Sequence, residues 1–112
     1  MPYIKADDGR RKALRNGEPA LTAGELNYQI FWHVKHKDCS ENLIRCFVEQ
    51  FLGEKRNYQK YNDMTGALVR CYREIERRLK LNCGFLLEIV DSYDDEIAKY
   101  EDKKIEENGD VE

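Results

Sequence analysis

The 112-residue sequence predicts an all-α protein, a small bundle of three to four helices with a flexible basic N-terminal arm and a polar C-terminal tail. Three observations predict it. Apolar residues recur at spacings of three and four through most of the chain, which is the period of a helix face. No segment alternates apolar and polar residues with the period of two that a strand needs. Finally, there is no proline after Pro19, and paired Ser/Thr caps and glycines punctuate the apolar stripes.

Residues 1–21 read as the arm. Pro2, Gly9, Gly17 and Pro19 are mixed with the basic run Arg10, Arg11, Lys12 and Arg15, and Ala13 and Leu14 support at most one helical turn. The helical domain then spans residues 22–107. Thr22-x-x-Glu25 is a capping box, in which the hydroxyl and the carboxylate satisfy backbone N–H groups at a helix start. Leu26, Ile30 and Val34 follow at i, i+4 and i+8, flanked by Tyr28 and Trp32, so this helix should run to about Lys37. Ser40 caps the next one, whose broad apolar face is Leu43, Ile44, Phe47, Val48, Phe51 and Leu52, with Gly53 as the stop.

Beyond a polar link at Glu54 to Asn57, the stripe Tyr58, Tyr61, Met64, Leu68, Tyr72, Ile75 and Leu79 predicts a long helix ending near Asn82 to Gly84. Gly66 in its interior suggests close helix contact. Phe85, Ile89, Tyr93 and Ile97, with Leu86, Val90 and Tyr100 beside them, predict a last helix. Asn108-Gly109 then ends it as a left-handed stop, and residues 108–112 form the tail.

Size and composition narrow the class. A chain of this length buries enough apolar surface for one domain without staples. Cys39, Cys46, Cys71 and Cys83 contain no Cys-x-x-Cys pair and follow no apolar signal segment, which points to free thiols in a reducing cytoplasm. No apolar run approaches the roughly 20 residues that cross a bilayer, so no membrane partner is expected. The net charge is −3 but unevenly placed. Between Asn57 and Gly84, Lys60, Arg70, Arg73, Arg77, Arg78 and Lys80 oppose only Asp63, Glu74 and Glu76; after Gly84 the acids dominate. Such asymmetry suits two oppositely charged helices packing together, or a self-complementary oligomer, better than general polyanion binding.

Several side-chain clusters have spacings that bear on chemistry. His33-x-x-His36-x-x-Cys39 places three ligand-type side chains at successive i+3 steps, yet the spacing matches no firm zinc template, and two imidazoles near a helix C-terminus are favoured by its partial negative charge. No metal or other cofactor is therefore expected. Glu88, Asp91 and Asp95 share one helix face at i, i+3 and i+7, where acids can hold Mg²⁺ against a nucleotide phosphate; a solvated acidic face is the simpler account because no second acidic helix is evident. Arg70, Arg73 and Arg77 share another face, extended by Arg78 and Lys80, and with Tyr58 and Tyr61 they could contact phosphates and stack on bases. Glu74, four residues from both Arg70 and Arg78, favours intrahelical ion pairs instead. Cys46 and Cys71 read as small core residues, and no nucleophile stands beside a base.

The segments Met1-Pro2-Tyr3-Ile4-Lys5, Gly24-Glu25-Leu26-Asn27-Tyr28, Gly66-Ala67-Leu68 leading to Glu74 and Arg77-Arg78, and Tyr100 to Val111 resemble an uncharacterised family of short proteins found in phage, prophage and bacterial genomes. The last block is the most specific, and together they cover about half the chain. The stretch Leu79 to Lys99 departs from the family pattern as an insertion or an extended helix. The resemblance carries no activity; it implies a phage-associated setting in which a small helical protein binds a host or phage macromolecule, as in counter-defence, or sequesters a ligand. The reading is thus a non-enzymatic interaction protein that self-associates, with Arg70, Arg73, Arg77, Tyr100, Glu101, Asp102 and Asp110 as partner-binding residues. The alternative is a nucleotide-binding protein or Mg²⁺-dependent nucleotide hydrolase, and nucleic-acid binding is the third.

Overall fold

In the computed structural model, which describes residues 8–37 and 40–109, six α-helices occur among the described residues, and no strand. They are α1 (Asp8–Arg15), α2 (Ala23–His36), α3 (Glu41–Leu52), α4 (Tyr58–Glu74), α5 (Phe85–Ser92) and α6 (Asp94–Asn108), and a π-helical turn (Ile75–Leu79) prolongs α4. The all-α class is as the sequence predicts, with more helices than three to four. The excess has two sources: much of the basic arm is helical, and the last helix is divided at Tyr93.

The caps explain where the predicted helices begin. The Thr22 hydroxyl accepts the Glu25 N–H at 3.2 Å, the Ser40 hydroxyl accepts the Leu43 N–H at 3.4 Å, and the Asn57 side chain accepts the Lys60 N–H at 2.8 Å. Each satisfies a donor that the first helical turn leaves without a partner. α3 stops at Gly53, whose φ of 68° suits a residue without a Cβ. The long helix stops earlier than the sequence suggests. Its last turn widens to π geometry and Lys80 turns left-handed at φ 58°, a conformation that costs a non-glycine residue about 1 kcal/mol.

α2 is the central element, packed on α4 with α1 and α3 against it; α5 and α6 also pack on α4, and α5 on α3. One apolar core joins Leu26, Ile30, Ile44, Val48, Leu52, Met64, Leu68, Ile75, Leu86 and Ile89, all fully buried. Cys71 and Cys83 are buried thiols, and Cys71 donates weakly to the Asn27 carbonyl at 3.8 Å. Cys46, expected in the core, is exposed, because α3 turns Phe47 and Val48 inward and Cys46 away. Nor does Gly66 mark a close approach: nothing lies within 4 Å of where its Cβ would stand. No helix among the described residues is long and apolar enough to cross a membrane.

The arm corrects the sequence reading most. Leu14 and Ala20 are buried in the common core, and full burial of one leucine contributes about 1.5–3 kcal/mol. Polar contacts complete the attachment. Arg10 holds Glu25 with two parallel bonds, Nε to Oε2 at 2.7 Å and Nη2 to Oε1 at 2.6 Å, and also donates to the Pro19 carbonyl at 3.1 Å. Glu25 therefore does not close the expected capping box on Thr22; its carboxylate takes the Arg10 guanidinium and the Leu21 N–H at 2.9 Å. Beneath this pair the fully buried Gln29 donates its amide to the Leu14 and Glu18 carbonyls at 2.9 and 2.8 Å.

Replacing Gln29 with leucine removes a buried donor from two carbonyls beneath α1 and leaves that of Leu14 only the Gly17 N–H. The expected loss is about 1–3 kcal/mol of stability, with faster amide hydrogen exchange concentrated in residues 9–16. Unchanged protection of α1 in a folded Gln29→Leu protein would show that the helix is held some other way.

Candidate anion-binding cleft

Once α1 lies along α2, two side-chain pairs face each other across the seam. Arg11 and Arg15 are four apart on α1, Tyr28 and Trp32 four apart on α2, so each pair shares a helix face. The Arg11 guanidinium lies 5.3 Å from the Tyr28 ring centre, and that of Arg15 lies 5.7 Å from the Trp32 ring. Arg15 also donates from Nε to the Tyr28 hydroxyl at 2.8 Å. From the π-helical turn Arg78 reaches over the Phe31 ring at 5.0 Å, and the Lys37 ammonium lies 5.9 Å from the Trp32 ring centre. An aromatic face attracts a cation through its quadrupole and fixes the plane of a guanidinium.

These groups enclose an open cleft of about 320 Å³, lined by Arg11, Arg15, Tyr28, Phe31, Trp32, Lys35, His36 and Arg78. Among the described residues no carboxylate lines it. A concentration of cations in a chain of net charge −3 makes this the natural landing place for an anion.

His33 sits behind the cleft. It is buried, its ring 4.8 Å from that of Phe47 and 5.0 Å from that of Trp32, and neither ring nitrogen meets hydrogen-bond geometry with another described group. Burial holds its pKa below the ordinary 6.5; the Arg15 backbone opposes that shift and the Lys37 charge adds to it. His36 is exposed at the cleft, its ring 5.1 Å from that of Trp32, and Cys39 lies outside the described residues. Among the described residues, no three His, Cys, Asp or Glu side chains come together as a metal could require.

The other predicted clusters are separated. Arg70 and Arg73 border a different depression with Thr65, Gly66 and Val69. Arg77 turns back onto the buried Glu74, its Nη2 3.1 and 2.9 Å from the two carboxylate oxygens; the ion pair thus forms at i+3, and Arg77 is the residue that closes it. Tyr61 is buried and cannot stack on a base beside that arginine face. Glu88 and Asp91 lie on α5 but Asp95 lies beyond the break at Tyr93, so the three acids no longer share one continuous face. All three are exposed.

At the break, Tyr93 packs into a polar cluster. Arg56 donates to Glu49 at 2.5 Å, to Glu96 at 3.3 Å and to the Gly53 carbonyl at 3.2 Å, while its guanidinium lies 5.9 Å from the Tyr93 ring. The Tyr61 hydroxyl donates to Glu96, and Tyr100 donates to the Arg56 carbonyl at 3.3 Å. Burial, with the Glu49 carboxylate nearby, pushes the Tyr93 hydroxyl up to about 12. Tyr100 is thus a structural tie of α6 to the start of α4. Glu101 and Asp102 beside it are exposed and have no hydrogen-bond or ion-pair partner among the described residues, and Asp110 lies outside them.

The sequence reading missed Arg11, Arg15, Phe31, Trp32 and Lys35 as a group. The i+4 spacings on both sides were visible, but nothing local says that α1 and α2 place them together. Compared with family models, curated proteins and solved structures, the chain matches none of them.

The depressed His33 pKa sets a pH dependence. Below about pH 6.5 the unfolded imidazole takes up a proton that the folded one still refuses, so stability declines as pH falls through this range. Thermal unfolding should move to lower temperature between about pH 7.5 and about pH 5.5, and His33→Leu should flatten that slope. An identical slope in the variant would remove His33 from the account.

Proposed function

We propose that the protein is a non-enzymatic helical interaction protein that captures an anionic partner in the cleft between α1, α2 and the π-helical turn. The observation that carries this reading is the convergence of Arg11, Arg15, Lys35 and Arg78 on one aromatic-walled cleft with no described carboxylate among its lining. Guanidinium groups steadied on rings suit carboxylate or phosphate oxygens, which accept two parallel N–H bonds. The same stacking argues against base intercalation, since cations already lie over the aromatic faces. The resemblance to short phage and prophage proteins fits an accessory role in which one small protein occupies a larger macromolecule. A cytoplasmic setting agrees with the free thiols of Cys46, Cys71 and Cys83.

Fluorescence anisotropy of a labelled polyglutamate peptide and of a single-stranded oligonucleotide tests the cleft. Affinity should fall steeply between about 50 and about 200 mM salt, as expected when several cations meet a polyanion. The double variant Arg15→Glu with Lys35→Glu should bind at least about tenfold more weakly, roughly 1.4 kcal/mol. Binding of neither probe at low salt, or equal binding by the folded variant, would overturn the reading.

A further inference from the structure

We infer that the anionic partner of the cleft is α6 of a second copy of this chain, so that copies associate head to tail. The inference rests on the proposed role of the cleft and identifies what fills it.

α6 has no buried residue along its whole length. Ile97 and Tyr100 face inward and are half-buried, with Tyr100 tied to the Arg56 carbonyl. On the opposite side, at i, i+4, i+7 and i+11, stand Asp95, Lys99, Asp102 and Glu106, with Ile105, 44% exposed, along one flank. Asp95, Glu101, Asp102 and Glu106 have no hydrogen-bond or ion-pair partner among the described residues. The outer face of α6 is therefore a ridge of three carboxylates and one lysine, net acidic, with an aliphatic side chain on its flank, and the cleft is a basic recess with aromatic walls. Each offers what the other lacks in both charge and apolar surface.

They cannot meet within one chain. Tyr100 and Glu107 border a depression shared with Arg56, Asn57, Tyr58 and Gln59 at the start of α4, whereas Arg78 stands over the cleft beyond its end. Roughly 20 residues at ~1.5 Å each separate Tyr58 from Arg78, about 30 Å along a molecule 44 Å in its longest dimension. The ridge also faces away from α4. The charge asymmetry of the sequence is thus a polarity of the folded molecule, with the basic recess at one end and the acidic helix at the other. A contact between unlike surfaces is heterologous, so it either closes into a ring or continues as a chain of subunits. Carboxylates rather than phosphates are the acceptors, supplied at the concentration of the protein itself.

Native mass spectrometry and sedimentation velocity of the full chain test this with two charge variants. The cleft variant carries Arg15→Glu and Lys35→Glu; the ridge variant carries Asp102→Ala and Glu106→Ala, at exposed positions that leave Tyr100 and the core untouched. The wild-type chain should form species larger than a monomer at low salt and dissociate as salt is raised. Each variant alone should be monomeric, and an equimolar mixture should give a 1:1 dimer that grows no further, because one intact cleft and one intact ridge remain. A wild-type chain that is monomeric at high concentration and low salt, or a ridge variant that assembles unchanged, overturns the inference. If the monomeric chain still binds the polyglutamate peptide through Arg15 and Lys35, the partner is a different acidic protein and the cleft keeps its role. If it prefers the oligonucleotide, the partner is a nucleic acid. Loss of binding to both probes removes the cleft reading as well.

Discussion

The attachment of α1 to α2 by Gln29 and Glu25 is the constraint on which the rest of the cleft depends. A helix of eight residues is too short to persist alone in water, since nucleation is costly and few hydrogen bonds follow it. Gln29 is a polar residue at a fully buried position, and its amide meets two backbone carbonyls from the chain that leaves α1. Glu25 holds Arg10 at the rim of the same contact. An apolar residue at position 29 would pack more simply but would take a buried donor from both carbonyls and leave that of Leu14 only the Gly17 N–H, the more expensive outcome. With α1 fixed, Arg11 and Arg15 start opposite Tyr28 and Trp32, the rings over which they lie.

A second polar hub works at the other end. Arg56 gathers Glu49, Glu96 and the Gly53 carbonyl, and Tyr61, Tyr93 and Tyr100 pack around it, with ring centres of Tyr61 5.5 Å from Tyr100 and 6.0 Å from Tyr93. Exposed ion pairs are individually weak, so the tyrosines matter: they bring apolar area to the same place and shield the charges from water. The core between the hubs is ordinary aliphatic packing of α2, α3, α4 and α5. Specific geometry at both ends of the molecule is thus set by arginines.

Much of this was legible in the sequence. Thr22, Ser40 and the apolar stripes located α2, α3 and most of α4, because caps and periodicity are local properties of the chain. The arm was misjudged for the same reason. Leu14 is a single apolar residue with no repeating partner, and its burial depends on Gln29, fifteen positions away, offering an amide to its carbonyl. The break at Tyr93 was equally hidden, since Phe85, Ile89, Tyr93 and Ile97 keep a continuous stripe, and the Arg56 hub that Tyr93 packs against at the break is far off in sequence. Of the candidate site, the basic run at Arg10 to Arg15 and the Tyr28–Trp32 stripe were each visible. Their meeting was not, and the arginine face that local spacing favoured is partly consumed by the Arg77–Glu74 pair.

Trp32 is the only tryptophan in the chain, and it lies in the wall of the cleft between Arg15 and Lys37. Tyr58, Tyr61, Tyr93 and Tyr100 all gather at the opposite end, around the Arg56 hub and its neighbouring depression. The molecule therefore carries a built-in optical label on one pole. Light absorbed selectively by indole reports on the basic recess alone, with no probe attached, while the phenol bands report chiefly on the seat of α6. Occupancy of one pole and loosening of the other are separable in a single unmodified sample.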